Sequence, residues 1–236
     1  MQLHAHALAL LSTALLTISL TACASRDAQA EQGPQARAEP LASAPASAEW
    51  IELFDGQSLE GWTTVGGRYD GHARWTIEEG AVTGRQGPGR EGGLIYTAAP
   101  YADFELELDL KIDWPFDSGI FLRMLPPESG QKGLQVTIDH RDGGECGGLY
   151  ADGWILHNPE GWSRFKKGEW NHFRVVCQGQ PMRVQAWLNR EPLIEHTLES
   201  AEGYAATGLI GLQVHGGEDV PLETKVQFKN VRLRPL

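Results

Sequence analysis

The densest group of reactive side chains is Asp139-His140-Arg141-Asp142-Gly143-Gly144-Glu145, which packs three acids and a histidine into one turn. Carboxylates at that density could ligate a hard cation through oxygen, or supply an acid and a base for proton transfer. Asp and Gly in such numbers also build plain hairpin loops. His157, in His157-Asn158-Pro159-Glu160-Gly161-Trp162, falls on an expected long loop where it could border a pocket. Other spacings exclude chemistry. Gly87-Pro88-Gly89-Arg90-Glu91-Gly92 matches a dinucleotide-loop pattern, but it leads into the strand Leu94-Ile95-Tyr96, with no helix N-terminus to receive a pyrophosphate. The sequence contains neither a His-Glu-x-x-His zinc motif nor a Gly-x-Ser-x-Gly nucleophile turn. Glu107-Leu108-Asp109 is followed by Ile112 where a further acid would be needed, so two-carboxylate glycoside hydrolysis finds no recognisable pair.

The elements that must position these groups are strands. Phe104, Leu106, Leu108, Leu110 and Ile112 alternate with Glu105, Glu107, Asp109 and Lys111, the period of a strand with one buried face. Similar segments are expected at Arg74–Ile77, Ala81–Thr83, Leu94–Thr97, Ser118–Leu125, Leu134–Asp139, Asn171–Gln178, Arg183–Leu188, Leu209–His215 and Lys225–Leu233. Gly, Pro, Asn and Asp separate them, and no amphipathic helical stretch of useful length appears. Many short strands at this spacing predict an all-β sandwich or jelly roll.

Alternation then sorts side chains by face. Ile120, Leu122 and Met124 are expected inward, leaving Phe121 and Arg123 opposite. Leu134, Val136 and Ile138 leave Gln135, Thr137 and Asp139; Ile210, Leu212 and Val214 leave Gly211, Gln213 and His215. Val184, Ala186 and Leu188 leave Gln185 and Trp187. If these strands are neighbours, one sheet face carries Arg, Gln, Asp, His and an aromatic, a mixture that suits sugar hydroxyls and sugar rings.

Composition narrows the class. The 236 residues are 41% hydrophobic and 22% charged, with 28 Gly and 8 Trp, which favours a turn-rich β chain over a helical bundle. A net charge of −11 with no basic run repels phosphate backbones and argues against nucleic-acid binding. Three cysteines are too few and too spread for a disulfide scaffold, and Cys146 and Cys177 are expected to stand independently.

The N-terminus reads as an address. Ala7 to Leu20 is an apolar run too short to span a bilayer but suited to a signal core. Leu20-Thr21-Ala22-Cys23 resembles a bacterial lipobox, although Met1 to His6 carries no Lys or Arg. The expectation is removal of residues 1–22, lipidation of Cys23, a disordered Ala/Ser/Pro-rich tether over 23–48, and one domain over 49–236. That places the protein in the cell envelope, joined to the membrane by a lipid anchor. Ala24 after the cysteine points to the outer membrane.

An ordered series of short marks carries a family resemblance. It comprises Leu53-Phe54-Asp55-Gly56, Leu59-Glu60-Gly61-Trp62, Ala102-Asp103-Phe104-Glu105-Leu106 and Asp117-Ser118-Gly119-Ile120-Phe121-Leu122-Arg123. Gly147-Gly148-Leu149-Tyr150, Gly168-Glu169-Trp170-Asn171, Gly211-Leu212-Gln213-Val214-His215 and Phe228-Lys229-Asn230-Val231-Arg232 follow. The chain from Trp50 to Leu236 resembles the DUF1080 family, the 3-keto-disaccharide hydrolase or 3-keto-α-glucoside 1,2-lyase/3-keto-2-hydroxy-glucal hydratase domain. The resemblance implies a concanavalin A-like jelly roll and an oligosaccharide or 3-keto-sugar as partner. It implies an elimination in which a 3-ketone acidifies the C2 proton, a base removes it, and the enolate expels the oxygen at C1.

On that reading Asp139 or His215 is the base and Arg123 the enolate stabiliser. Gln135, Gln213 and Tyr150 orient hydroxyls, with Phe121, Trp187 and His157 also bordering the sugar. No cofactor is required by the sequence, though a divalent ion could replace or assist Arg123. Two departures stand out. Many members carry Glu-Val-Gln-Ile-x-Asp where this chain has Gln135-Val136-Thr137-Ile138-Asp139, and the usual Asn-Gly hairpin reads Asn189-Arg190. An amide in place of an acid lends weight to a non-catalytic alternative, a carbohydrate-binding surface lipoprotein.

Overall fold

A computed structural model describes residues 48–66 and 70–236. The expected signal segment, the expected lipidation site Cys23 and the expected tether up to residue 47 lie outside the described residues. Among those described, fifteen strands occur. In chain order they are β1 (Ile51–Glu52), β2 (Trp62–Thr63), β3 (Arg74–Glu78), β4 (Ala81–Arg85) and β5 (Gly93–Thr97). Next come β6 (Phe104–Ile112), β7 (Asp117–Met124), β8 (Leu134–Asp139), β9 (Cys146–Tyr150) and β10 (Trp154–Leu156). The last five are β11 (Asn171–Gln178), β12 (Arg183–Leu188), β13 (Glu191–Thr197), β14 (Leu209–Val214) and β15 (Lys225–Pro235).

They form two antiparallel sheets. One has the order β13-β12-β11-β6-β15-β4-β3, with β1 against β15; the other has the order β10-β9-β8-β7-β14-β5-β2. The fold is the expected all-β jelly-roll sandwich. Its core is the set that alternation pointed inward. Phe104, Leu106, Leu108, Leu110 and Ile112 of β6 share one cluster with Ile120, Leu122, Val136, Ile138, Ile210 and Leu212 of the facing sheet. Each such side chain, removed from water, stabilises the fold by about 1.5–3 kcal/mol. On the outer face of β6 the charges pair across strands, Glu107 with Arg232 at 2.6 Å and Asp109 with His172 at 2.8 Å. A central strand can therefore carry alternating acids without self-repulsion.

Two of the sequence marks prove to be turns. Asp55 Oδ1 accepts from the amides of Gln57 and Ser58, and Gly56 takes a φ of 79°. Asn171 donates to the carbonyls of Lys166 and Glu169 and accepts from the Lys166 amide, closing the loop into β11.

The structure also has strands outside the expected set, β9 and β10 among them. Cys146 opens β9 and is fully buried, as is Cys177 on β11; both are free thiols. Gly147 and Gly148 look like turn residues in the sequence, but their missing side chains serve packing. A Cβ on Gly147 would lie 2.5 Å from Leu193 Cγ, so β9 can take its place only with glycine there.

Candidate functional site

A cleft of about 1360 Å³ lies over the outer face of the second sheet. Phe121 on β7, Gln135, Thr137 and Asp139 on β8, and Gln213 on β14 line it, with Tyr150 at the end of β9 and His215 just past β14. Strand pairing accounts for this convergence. Phe121 is the register partner of both Gln135 and Gly211, and Gln135 is that of Tyr150. Gln135 Nε2 donates to Gln213 Oε1 at 2.7 Å, joining the two amides on the cleft floor.

Arg123 is a correction. It was expected beside Phe121 on the cleft face, but it is 2% exposed and does not line the cleft. Its Nε donates to the Ala102 carbonyl at 2.7 Å, its Nη1 to the Gly179 carbonyl at 2.9 Å, and its Nη2 pairs with Asp103. The cause is a bulge. Leu209 pairs with Met124 and Gly211 with Phe121, so three steps on β7 oppose two on β14, and Arg123 takes a φ of 45°. The extra residue reverses the alternation. Met124, expected in the main core, instead packs with Leu94, Tyr96 and Leu209, with Phe121 against them.

Two other expectations are corrected by position. Trp187 does point away from the core, but from β12, which belongs to the other sheet. Its ring lies under the Arg174 guanidinium at 4.2 Å, remote from the cleft. His157 is exposed on its loop and does not line the cleft. Its Nδ1 lies 2.8 Å from Glu145 Oε1, and its ring stacks on Trp154 at 4.6 Å.

The charged centre of the cleft includes two residues to which the sequence reading gave no role in the site, Asp117 and Arg141. Arg141 grips Asp139 with Nε to Oδ1 and Nη2 to Oδ2, both at 2.9 Å. The same Nη2 stands 2.7 Å from Asp117 Oδ2, and Nη1 lies 3.5 Å from His215 Nδ1. Asp117 and Asp139 are register partners on β7 and β8, and the His215 amide donates to the Asp117 carbonyl at 3.1 Å. Backbone pairing therefore fixes Asp117, Asp139 and His215, and the Asp139 carboxylate, which also accepts the Arg141 amide at 3.0 Å, fixes Arg141.

Their protonation follows from burial and from sharing one guanidinium. Burial pushes Asp139 up, but the hydrogen bonds and charge of Arg141 outweigh it and hold the carboxyl below its ordinary value. Asp117 is 6% exposed; burial raises it, the Asp139 charge raises it further, and Arg141 only partly offsets them, leaving it at about 8. Two carboxylates on one nitrogen cannot both ionise freely, and the buried one keeps its proton. Burial and the Arg141 charge lower His215, against the opposing charge of Asp139, so its imidazole is neutral at pH 7. Arg141 itself is raised, chiefly by its hydrogen bonds to Asp139.

The rest of the acidic turn does something else. His140 is 3% exposed, with its ring 4.1 Å from Trp114, 4.0 Å from Trp162 and 5.0 Å from Phe165, and burial lowers it to about 4. Glu145 turns away to accept the Asn158 amide and meet His157. Among the described residues no group of three or more His, Cys, Asp and Glu side chains converges to hold a metal ion. Between Asp117 and Asp139, the Arg141 guanidinium occupies the place where a cation would sit.

Comparison with known proteins adds four findings. The family model described as a 3-keto-alpha-glucoside-1,2-lyase-like domain matches residues 49–234. A 3-keto-disaccharide hydrolase of Bacteroides thetaiotaomicron is 32% identical, over 79% of this chain and 78% of its own. A solved structure of a candidate glycosyl hydrolase from Parabacteroides distasonis superposes with a TM-score of 0.59 at 25% identity, covering 80% of this chain and all of its own. A Bacillus subtilis protein with a galectin-like fold, at a TM-score of 0.53 and 12% identity over 80% of this chain and 96% of its own, shares the fold.

Proposed function

The chain belongs to the 3-keto-alpha-glucoside-1,2-lyase-like family, and on that premise we propose that it cleaves 3-keto-glucosides by base-promoted elimination. The observation that carries this reading is the single guanidinium of Arg141 set among an ionised Asp139, a protonated Asp117 and a neutral His215. Those are the parts an elimination requires: a base free to accept a proton, an acid with one to give, and fixed positive charge for an enolate.

In the proposed step His215 takes the C2 proton, made acidic by the neighbouring ketone. The C2–H bond breaks, the C1=C2 bond forms, and the C1–O bond breaks as its electrons leave with the glycosidic oxygen. Arg141 stabilises negative charge on the ketone oxygen, and Asp117 protonates the departing oxygen. Asp139 holds Arg141 in place. Gln135, Gln213 and Tyr150 present polar groups to the hydroxyls of the bound sugar. The products are an unsaturated 3-keto sugar and a free alcohol, with no change in oxidation level. His215 Nδ1 and Asp117 Oδ2 are 3.7 Å apart, so the imidazolium formed can return its proton to the carboxylate formed.

A second reading, non-catalytic capture of glycans, is favoured by one observation: the cleft floor between Gln135 and Gln213 is an uncharged amide pair. In either case the Leu20–Cys23 motif supports our reading of a lipid-anchored envelope protein. Mixing the purified protein with 3-keto-glucosides and following the absorbance of the unsaturated ketone tests the elimination. No product from any of them, with binding of intact oligosaccharides instead, would leave the capture reading.

A further inference from the structure

Among the described residues the exposed aromatic side chains are Trp114, Tyr150 and Trp154, and all three line the same cleft. Exposed aromatics gathered in one depression mark a surface meant to be covered. Trp114 is already flanked, with His140 stacked at 4.1 Å and the Lys167 ammonium 3.9 Å from its ring centre. Tyr150 and Trp154 are different. They are register partners on β9 and β10, meet edge to face at 5.6 Å, and are 37% and 41% exposed.

The position of Trp154 is built from below. The indole lies on Gly148, where a Cβ would stand 2.6 Å from Cζ3, so only glycine lets the ring settle on the sheet. His157 stacks behind it at 4.6 Å, and Glu145 holds His157 at 2.8 Å while its other oxygen accepts the Asn158 amide. A half-exposed tryptophan supported by a stacked ring, itself oriented by a mostly buried acid, is a preorganised flat apolar surface.

Its distance from the acid–base cluster matters. Tyr150 is the register partner of Gln135, which precedes Asp139 by four residues on β8, about 13 Å along the strand. That span exceeds a single pyranose ring. We infer that Trp154, with Tyr150 beside it, is a stacking subsite for the leaving-group sugar ring, and that His157 is the positioning residue that orients it. This assignment rests on the elimination reading above and adds to it a preference for disaccharides over glucosides with a small leaving group.

The test uses the full chain and two substrates that differ only in leaving group, 3-keto-maltose and methyl 3-keto-α-glucoside. Trp154→Ala lowers kcat/KM roughly tenfold on the first, the scale of one aromatic contact, and leaves the second unchanged. His157→Ala raises KM for 3-keto-maltose with kcat unchanged, and His157→Phe, which keeps a ring behind Trp154, restores it. Equal losses on both substrates, or none on either, overturn the subsite. Unoxidised maltose separates this from a failure of the chemistry. It quenches tryptophan fluorescence in the wild type and not in Trp154→Ala. If the wild type turns over neither keto substrate, the elimination reading falls and the maltose titration alone decides. Quenching lost in Trp154→Ala keeps the subsite; no quenching, or quenching unchanged in the variant, removes it.

Discussion

Asp117 and Asp139 face each other across β7 and β8 and share one nitrogen of Arg141, at 2.7 Å and 2.9 Å, yet their carboxyl groups are driven in opposite directions. Asp139 holds the bidentate geometry and stays ionised. Asp117 is more deeply buried and has only the remaining edge, so it keeps its proton to about pH 8.

The pH dependence of kcat/KM is a bell. Below the ordinary histidine value of 6.5 activity falls, once His215, whose pKa lies beneath that value, takes a proton. Above about pH 8 it falls again, as Asp117 loses the proton that the leaving oxygen needs. Initial rates between pH 5 and pH 10 check both limbs. His215→Ala should lower kcat by about 10²–10⁴-fold, and Arg141→Lys should resemble it more than the wild type, because an ammonium cannot keep the two-point grip on Asp139.

Asp117 also makes stability depend on pH, with a sign opposite to that of most carboxylates. Its folded value of about 8 lies above the ordinary 3.8, so between these values the folded state binds the extra proton. Unfolding therefore becomes easier as pH rises through that window, by up to about 1.4 kcal/mol per unit. Asp117→Asn lacks the term. Its melting temperature should gain on that of the wild type steadily from pH 5 to pH 8, and a constant difference would contradict the buried, protonated carboxyl.

Arg123→Ala separates architecture from chemistry. It removes the guanidinium from the carbonyls of Ala102 and Gly179 and leaves Asp103 with the Gly179 amide alone, which should lower stability by about 2–4 kcal/mol. Below the melting transition, the kcat of the folded fraction should match the wild type. Denaturant unfolding together with steady-state kinetics reads both.

The β12–β13 hairpin offers a stabilising change. Leu188 and Glu191 pair across a two-residue loop in which Asn189 has a φ of 53° and Arg190 a φ of 74°. Both lie in the left-handed region, where a side chain is strained and glycine is not. Arg190→Gly should raise stability by about 0.5–1 kcal/mol, the relieved left-handed strain less the entropy that glycine loses on folding, without touching activity, read as an increase in melting temperature.

What the sequence made legible was decided by a period of two, and what it hid lay where that period breaks or says nothing. Phe121, Gln135, Asp139, Gln213 and His215 reach the cleft because their strands alternate without interruption up to those positions. Asp117 has the same parity as Phe121, so extending the expected strand by one residue beyond Ser118 would have found it. Arg123 escaped because a bulge leaves no signature in a run of apolar and polar residues. Trp187 shows a different limit: alternation states that a side chain points outward, not which of two sheets it points out of. Trp154 stayed hidden because its strand pairs with β9, whose opening Cys146-Gly147-Gly148 hides it: glycines chosen for close packing look the same as glycines chosen for a turn.

The protonation pattern around Arg141 leaves that cluster electrically neutral, one cation against one anion, whereas the cleft margin is not. Lys132 is matched with Asp152 at 2.6 Å, leaving Asp142, Glu202 and Asp219 as a surplus of negative charge in a chain that already carries −11. Such a margin acts as a charge filter. Uronates and sugar phosphates meet repulsion before they reach the floor, and raising ionic strength would ease their entry. An uncharged keto sugar approaches without that barrier, and its KM should be indifferent to salt.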